Sequence, residues 1–222
     1  MTNLAPELIY RRNLPHIRPS GGTFFITFRL VGSIPPAVLA DLHAEAVRRR
    51  AECERLPDFP ERAERLYREQ RRFFGKWDAA LDAGIGPDWL CNPEVAGLIS
   101  EAIRHFDRQR YDLSAYCIMP NHVHVVLRPL LKTESDCYPL AQIMHTMKGY
   151  TAGQANRLLG RTGAFWQHES YDHFARDEAE LERIVMYVLN NPVKSGLVTD
   201  WQAWPWTYVA QSAGLRPDNP ED

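Results

Sequence analysis

Two histidines separated by one residue, His122 and His124, interrupt an otherwise apolar segment, "MPNHVHVVLRP". Side chains alternate between the two faces of a β-strand, so both imidazoles would project from one face and Val123 and Val125 from the other. Burying two imidazoles costs free energy unless each has a polar partner. The pair could therefore bind one divalent cation. The simpler alternative is two polar residues on the open face of a half-covered sheet.

A tyrosine and an amide lie one turn apart in a second segment, "ERIVMYVLNNPVK". The segment has a helical apolar stripe, formed by Leu181, Ile184, Val185, Val188 and Leu189. Tyr187 and Asn191 fall side by side at the edge of this stripe. If the helix packs near the histidine strand, His122, His124 and Asn191 would offer two nitrogens and one oxygen to Mg²⁺ or Mn²⁺. The imidazoles favour Mn²⁺, whereas structural zinc prefers a closed tetrahedral site.

Tyr187 would then be a candidate nucleophile. A phenol attacks poorly until a cation or a base stabilises its phenolate. A metal ion bound to a phosphate would neutralise charge on the phosphate oxygens and orient the phosphorus for in-line attack. Without such neighbours, Tyr187 would be a boundary residue with its ring on the core and its hydroxyl in water.

Several strands could position these residues. "GGTFFITFRL" predicts a first strand, and "YDLSAYCIM" and "HVHVVLRPL" predict two antiparallel strands joined by a tight turn at Pro120 and Asn121. "FWQHESYDHFAR" predicts a last strand or extended segment.

Helices are predicted between the strands. Residues from about Pro36 to Asp82 read as two helices with a proline-containing break, a helical hairpin insertion. Three further helices are predicted. The first has Asn92 as its N-cap, the second runs from about Pro139 to Leu159, and the third begins at Asp177 and stops at Pro192. The order predicts an α+β fold in which helices pack on one face of a ferredoxin-like antiparallel sheet. We expect residues 1–222 to form a single domain with this insertion.

Composition limits the class of protein. Apolar residues make up 45% and charged residues 24% of the 222 residues, which is typical of a soluble globular protein. The N-terminal segment lacks the features of a secretory signal, so we expect a cytoplasmic protein without membrane association. The four cysteines lack CxxC spacing and predict neither a zinc ribbon nor a disulfide framework. A net charge of −2 argues against an overall basic surface, although a local basic patch remains open.

Four segments together resemble one known family. "MPNHVHVVLRP", "FWQHESYDHFARD", "MYVLNNPVKSGLV" and "WPWTY" look like the REP-associated tyrosine transposases, a branch of the single-tyrosine HUH transposases. The resemblance implies an HUH nuclease fold that cuts single-stranded DNA near palindromic hairpins, leaving a 5′-phosphotyrosine link and a free 3′-hydroxyl. It implies Tyr187 as the nucleophile and His122, His124 and Asn191 as the metal ligands.

DNA contacts are predicted from charge. Arg11, Arg12 and Arg18 are candidates for phosphate binding, and Lys148 and Lys194 are candidates near the site. The partner would be hairpin-bearing single-stranded DNA, bound by a monomer or a homodimer.

Alternatives remain at the level of the residue and of the function. Tyr171 is a rival nucleophile, and Tyr150 is expected to pack or to contact DNA. His168, Glu169 and His173 form another polar cluster, more consistent with hydrogen bonds than with a second metal site. A binding module that holds hairpin DNA without cutting it, or an unrelated phosphodiesterase that activates water at the histidine pair, would also account for parts of the pattern.

Overall fold

The structure is a computed structural model that describes residues 22–211. Arg11, Arg12 and Arg18, three of the predicted phosphate contacts, lie outside the described residues. The chain divides into two compact units. Within the described range, one unit consists of residues 22–33 and 87–211, and the other is Ile34–Gly86.

The larger unit is built on a five-stranded sheet in the order β4-β1-β3-β2-β5, and every neighbouring pair is antiparallel. The strands are β1 (Phe24–Arg29), β2 (Tyr111–Ile118), β3 (His122–Pro129), β4 (Tyr171–Phe174) and β5 (Thr207–Val209). Its helices are α3 (Pro93–His105), α4 (Leu140–Leu158) and α5 (Glu178–Lys194), with short 3₁₀ helices at Trp89–Cys91 and Trp201–Ala203. The predicted α+β class is confirmed.

Helices of this unit lie on both faces of the sheet. On one face, Ile26 and Val125 belong to the main hydrophobic core together with Ile99 of α3 and Met144 of α4. On the other face, α5 contacts the sheet through its bond to His124. The expectation that all helices pack on one face is therefore wrong. The reason is that seven of the eight residues of β3 are buried, so its two faces both need cover.

The end of α5 also differs from the sequence prediction. The helix does not stop at Pro192 but continues to Lys194. A proline removes one backbone donor, and the last turn is still closed by the bond from Ser195 N to the Asn191 carbonyl (3.0 Å). Gly196, two residues beyond the end of the helix, has φ of +70°, the left-handed conformation that glycine adopts without steric cost and that commonly terminates a helix.

β5 was not predicted from the sequence. It has only three residues, too few for a recognisable alternation. It pairs with β2 at the edge of the sheet, where Tyr116 aligns with Tyr208 and Cys117 with Thr207. The predicted hairpin between β2 and β3 is observed, with a bulge in β2 between Leu113 and Ala115.

The smaller unit contains the two helices predicted from about residue 36 to 82. They are α1 (Pro36–Glu54) and α2 (Phe59–Asp82), and Asp58 caps α2 by accepting a bond from Glu61 N. Charged pairs join the two helices, since Glu45 accepts from Lys76 (2.5 Å) and Arg49 lies 3.5 Å from Glu69. That the whole chain is a single domain stays a prediction.

None of the helices between residues 22 and 211 combines enough length with enough apolar character to cross a bilayer.

Candidate active site

β3 presents its two histidines on the face that α5 covers. The tight turn at Pro120 and Asn121 sends the chain from β2 directly into β3, and both imidazoles are buried. Their Nε2 atoms lie 3.0 Å apart. Two nitrogen lone pairs at this distance repel each other unless a proton or a cation lies between them, so the pair is arranged to share a positive charge.

The other nitrogen of each ring has a hydrogen-bond partner. His122 Nδ1 donates to Asn121 Oδ1 (2.6 Å), and His124 Nδ1 lies 2.8 Å from Thr27 Oγ1 on β1. An amide oxygen only accepts, so the proton of neutral His122 is on Nδ1 and the Nε2 lone pair is left for a cation. The Thr27 hydroxyl can impose the same tautomer on His124 by accepting a hydrogen bond from its Nδ1–H. Partners of this kind orient metal-binding imidazoles.

Burial of His124 also favours its neutral form. It is the largest cause that lowers the pKa of His124 well below its usual value, and the charges of His122 and Lys194 lower it further. His124 is therefore neutral near pH 7, which is the form that binds a metal ion.

Asn191 brings an amide from α5 to this pair. Its Nδ2 lies 3.1 Å from His124 Nε2, and the residue is fully buried. Within the part of the chain that the structure describes, its Oδ1 is buried without a hydrogen-bond partner. A half-turn of the amide exchanges oxygen and nitrogen and would direct Oδ1 to the imidazoles. Two imidazole nitrogens and one amide oxygen therefore fit a Mg²⁺ or Mn²⁺ ion.

Tyr187 lies one turn before Asn191, on the same side of α5. The centroid of its ring is 5.7 Å from that of His124 and 6.0 Å from that of Phe25, edge to face in both cases. Phe25 also stacks on His124 at 5.5 Å, so one β1 side chain supports both rings. The Lys194 ammonium lies 5.5 Å from the centre of the Tyr187 ring.

The structure thus brings together the four residues that the sequence analysis singled out, namely His122, His124, Asn191 and Tyr187. Their ligating and catalytic roles stay predictions. Sequence reasoning missed Thr27 and Asn121. Asn121 could have been noticed as a polar residue in the turn next to His122, whereas Thr27 could be found only from the pairing of β1 with β3.

The rival nucleophile lies on the same face. Tyr171 of β4 aligns with Thr27, and its buried ring is 6.2 Å from that of Phe25. It has no amide one helical turn away, since it lies in a strand.

The second polar cluster does not converge. His173 pairs with Glu180 of α5 at 3.0 Å, and Glu169 accepts from Gln167 Nε2 at 2.7 Å. Among the described residues, His168, Glu169 and His173 do not bring three ligand atoms together. The hydrogen-bonded interpretation fits these contacts.

Lys148 holds a loop. Its ammonium donates to the carbonyls of Gln167 (2.7 Å) and His168 (2.8 Å) and to Ser170 Oγ (3.2 Å). Burial, as the largest cause, lowers the pKa of Lys148 to about 8. Because three protein acceptors surround this ammonium, its contacts favour positioning of the loop over direct phosphate binding.

Comparisons with known proteins agree with the resemblance in the sequence. The family model described as "Transposase IS200 like" matches residues 90–191, a little under half of the chain. This segment contains His122, His124, Tyr187 and Asn191.

A relative and a solved structure are also similar. A protein of Haemophilus influenzae (strain ATCC 51907 / DSM 11121 / KW20 / Rd), which carries the name of a REP-associated tyrosine transposase, is 28% identical over 105 residues. The aligned segment is 44% of this chain and spans 58% of the relative's length. A structure of a REP-associated tyrosine transposase bound to a REP hairpin matches with a TM-score of 0.48 and 17% identity, over 85% of this chain and 76% of that one. The resemblance of this chain to the REP-associated tyrosine transposases is thereby confirmed, and residues 90–191 carry the match to the IS200-like transposase family.

Proposed function

We propose that this protein is a metal-dependent endonuclease and strand transferase that acts on single-stranded DNA next to a hairpin. The observation that carries the proposal is the convergence of two buried imidazoles, one buried amide and one phenol ring on the same face of the sheet. The family match of residues 90–191 supports DNA transposition chemistry.

Tyr187 is the proposed nucleophile. Its oxygen would form a bond to a backbone phosphorus while the bond between phosphorus and the 3′-oxygen breaks. The products would be a 5′-phosphotyrosine and a free 3′-hydroxyl, and attack by a 3′-hydroxyl on the phosphotyrosine would rejoin a strand. Phe25, packed against the rings of both His124 and Tyr187, keeps the phenol beside the imidazoles, which favours a productive orientation for attack.

His122, His124 and Asn191 are the residues that would hold the metal ion. A bound Mg²⁺ or Mn²⁺ would neutralise charge on the phosphate oxygens and orient the phosphorus. The chain's own contribution is the orientation of the donors, because Asn121 and Thr27 hold the outer nitrogen of each ring and leave both Nε2 atoms directed at one point.

Lys194 is the proposed phosphate contact nearest to the nucleophile. It lies in the last turn of α5, and its ammonium is 5.5 Å from the Tyr187 ring centre. A cation there would attract the phosphate that the phenol attacks. The hairpin as substrate is proposed from the kinship to REP-associated transposases, and the same kinship supports DNA as the partner.

Trapping a covalent adduct tests the proposal. The protein is incubated with Mn²⁺ and a DNA hairpin that carries a labelled single-stranded extension, then denatured and resolved by electrophoresis. We expect a labelled protein-DNA adduct that Tyr187→Phe abolishes and that Tyr171→Phe retains. Adducts that vanish in Tyr171→Phe and persist in Tyr187→Phe would transfer the role to the rival tyrosine and contradict the assignment.

The same assay separates the other two functions. A binding module would shift the hairpin in a native gel but give neither adduct nor cleaved strand. A phosphodiesterase that activates water would cleave the strand without an adduct, and cleavage would survive Tyr187→Phe. Either result would overturn the proposed transferase.

A further inference from the structure

Arg29 is a buried arginine beside the histidine pair. In the register of the sheet its Cα lies opposite that of His122. Directly opposed residues on antiparallel strands project from the same face, so the guanidinium shares the face of the imidazoles. The residue is only 4% exposed.

The guanidinium is held at one end. Nη1 donates to Ser33 Oγ (3.2 Å) and, at 3.5 Å, to the Leu30 carbonyl. Ser33 Oγ in turn donates to the same carbonyl (2.8 Å). A guanidinium has five donors in a planar fork, and the bonds from Nη1 leave the donors on Nε and Nη2 for another acceptor.

No carboxylate of the described residues lies within ion-pair distance of Arg29. Exposed Glu169 attracts it from farther away and acts to raise its pKa, whereas burial, the larger cause, lowers it. Arginine nevertheless stays charged at neutral pH. A buried charge is costly without a partner, so this position calls for an anion from outside the protein.

The surroundings add positive charge. Lys148 lies close enough to Arg29 to lower its own pKa through charge repulsion. The two are linked by the loop that follows α4, since Gln167 N donates to the Arg29 carbonyl (2.8 Å) and the Gln167 carbonyl accepts from Lys148. A buried guanidinium and a partly buried ammonium, whose residues both bond to Gln167, favour a negatively charged ligand over a neutral one.

We propose that the Arg29 guanidinium binds one backbone phosphate of the single-stranded DNA next to the His122–His124 pair. The proposal rests on the proposed function for the class of ligand, a phosphodiester of DNA. Arg29 thereby fixes which linkage lies over the imidazoles, and Ser33 positions the fork. Lys148 keeps the loop in place and touches no phosphate itself.

The contact is tested by removing the charge of Arg29, the charge of one DNA phosphate, or both. Binding of a hairpin with a single-stranded extension is measured by fluorescence anisotropy in the Tyr187→Phe background, so that no cleavage occurs. Each phosphate of the extension is replaced in turn by a neutral methylphosphonate. We expect one linkage at which the replacement weakens binding about tenfold in protein that carries Arg29. The same replacement should have little effect in Arg29→Gln, because that variant has already lost the charge-assisted hydrogen bond to this linkage.

Salt dependence gives a second measure. Each phosphate neutralised on a single strand contributes about 0.7 to the slope of log affinity against log salt. We expect Arg29→Gln to reduce the slope by about that amount. The matched control is Arg128→Gln. Arg128 lies on the same sheet, is half exposed and bonds to Asp112 (2.5 Å). This substitution should leave the methylphosphonate pattern unchanged.

The outcomes separate this inference from the proposed function. Folded Arg29→Gln protein with wild-type affinity, slope and methylphosphonate pattern would assign Arg29 a structural role only and overturn the inference, even if the Tyr187 adduct forms. Binding that depends on Arg29 without any adduct would preserve the inference and reject the nuclease. If Arg29→Gln does not fold, Arg29→Lys is used instead. This variant should keep the slope of log affinity against log salt but lose less affinity than the Arg29 protein when the one linkage is replaced by a methylphosphonate. A wild-type pattern at every linkage would overturn the inference.

Discussion

The hydrogen bonds on the outer side of the two imidazoles decide which nitrogen of each ring can meet a cation. Asn121 is the clearest case, because its amide oxygen fixes the proton on Nδ1 of His122 and leaves Nε2 as a ligand. Asn121 itself is buried, with 4% of its surface exposed. In the proposed site, Asn121 would touch neither the cation nor the DNA and would still determine which nitrogen of His122 can bind the cation.

Replacing Asn121 should weaken metal binding. Removal of a partner that orients a metal-binding histidine costs about 10–100-fold in affinity. We expect Asn121→Ala to bind Mn²⁺ that much more weakly in isothermal titration calorimetry. Asn190→Ala is the control, because Asn190 is exposed on α5 next to Asn191 and should bind Mn²⁺ like the parent. Equal affinity in folded Asn121→Ala would show that the hydrogen bond does not orient the ring.

Short sequence patterns predicted the helix N-caps and the side-chain alternation of the strands. The N-caps at Asn92 and Asp177 accept the expected bonds from the first turns of α3 and α5, because capping depends on residues two or three positions apart. The shared face of His122 and His124 followed from the two-residue period of a strand. Thr27 and Arg29 could not be assigned to the site in this way, since their position depends on pairing with a strand about 97 residues away.

The error at Pro192 has a different, local origin. Proline is read as a helix stop, but its cost is small near the last turn, where few intrahelical bonds remain to be lost. The end of α5 is set by Gly196 instead. Its N donates to the Val193 carbonyl, and Leu197 N donates to the Pro192 carbonyl, both at 2.9 Å, which is the Schellman pattern.

Substituting Gly196 should destabilise the unit. An alanine at a φ of +70° costs about 1 kcal/mol, so we expect Gly196→Ala to lower the free energy of unfolding by about that amount in urea denaturation. Gly153→Ala is the control of opposite sign. Gly153 lies within α4 with open space around its Cα, and alanine there should stabilise by about 0.5–1 kcal/mol. Equal effects of the two substitutions would contradict the assigned cap.

Charge over the whole chain contrasts with charge at the site. The net charge is −2, so the proposed binding of a polyanion would depend on local cations such as Arg29 and Lys194 and not on the average surface. The family match covers residues 90–191 and therefore leaves out β1, although β1 lies between β3 and β4 in the sheet. The pairing of an early strand with later ones is what adds Phe25, Thr27 and Arg29 to the histidine pair.

Binding and cleavage should therefore separate when the metal site is disabled. DNA binding would use cations spread over the larger unit, whereas cleavage would need the small cluster of His122, His124 and Asn191. We expect His122→Ala, His124→Ala or chelation with EDTA to abolish adduct formation while hairpin affinity in anisotropy stays within about threefold, since the metal ion is only one of several cations that would contact phosphates and the others are kept. Excess Mn²⁺ should restore the adduct after chelation but not in the two variants. Circular dichroism on the same samples checks that the fold is kept. Loss of one of the three donors should leave a site too weak to hold the cation. An adduct that persists in either folded histidine variant would therefore mean that the attack on phosphorus needs no cation at these imidazoles.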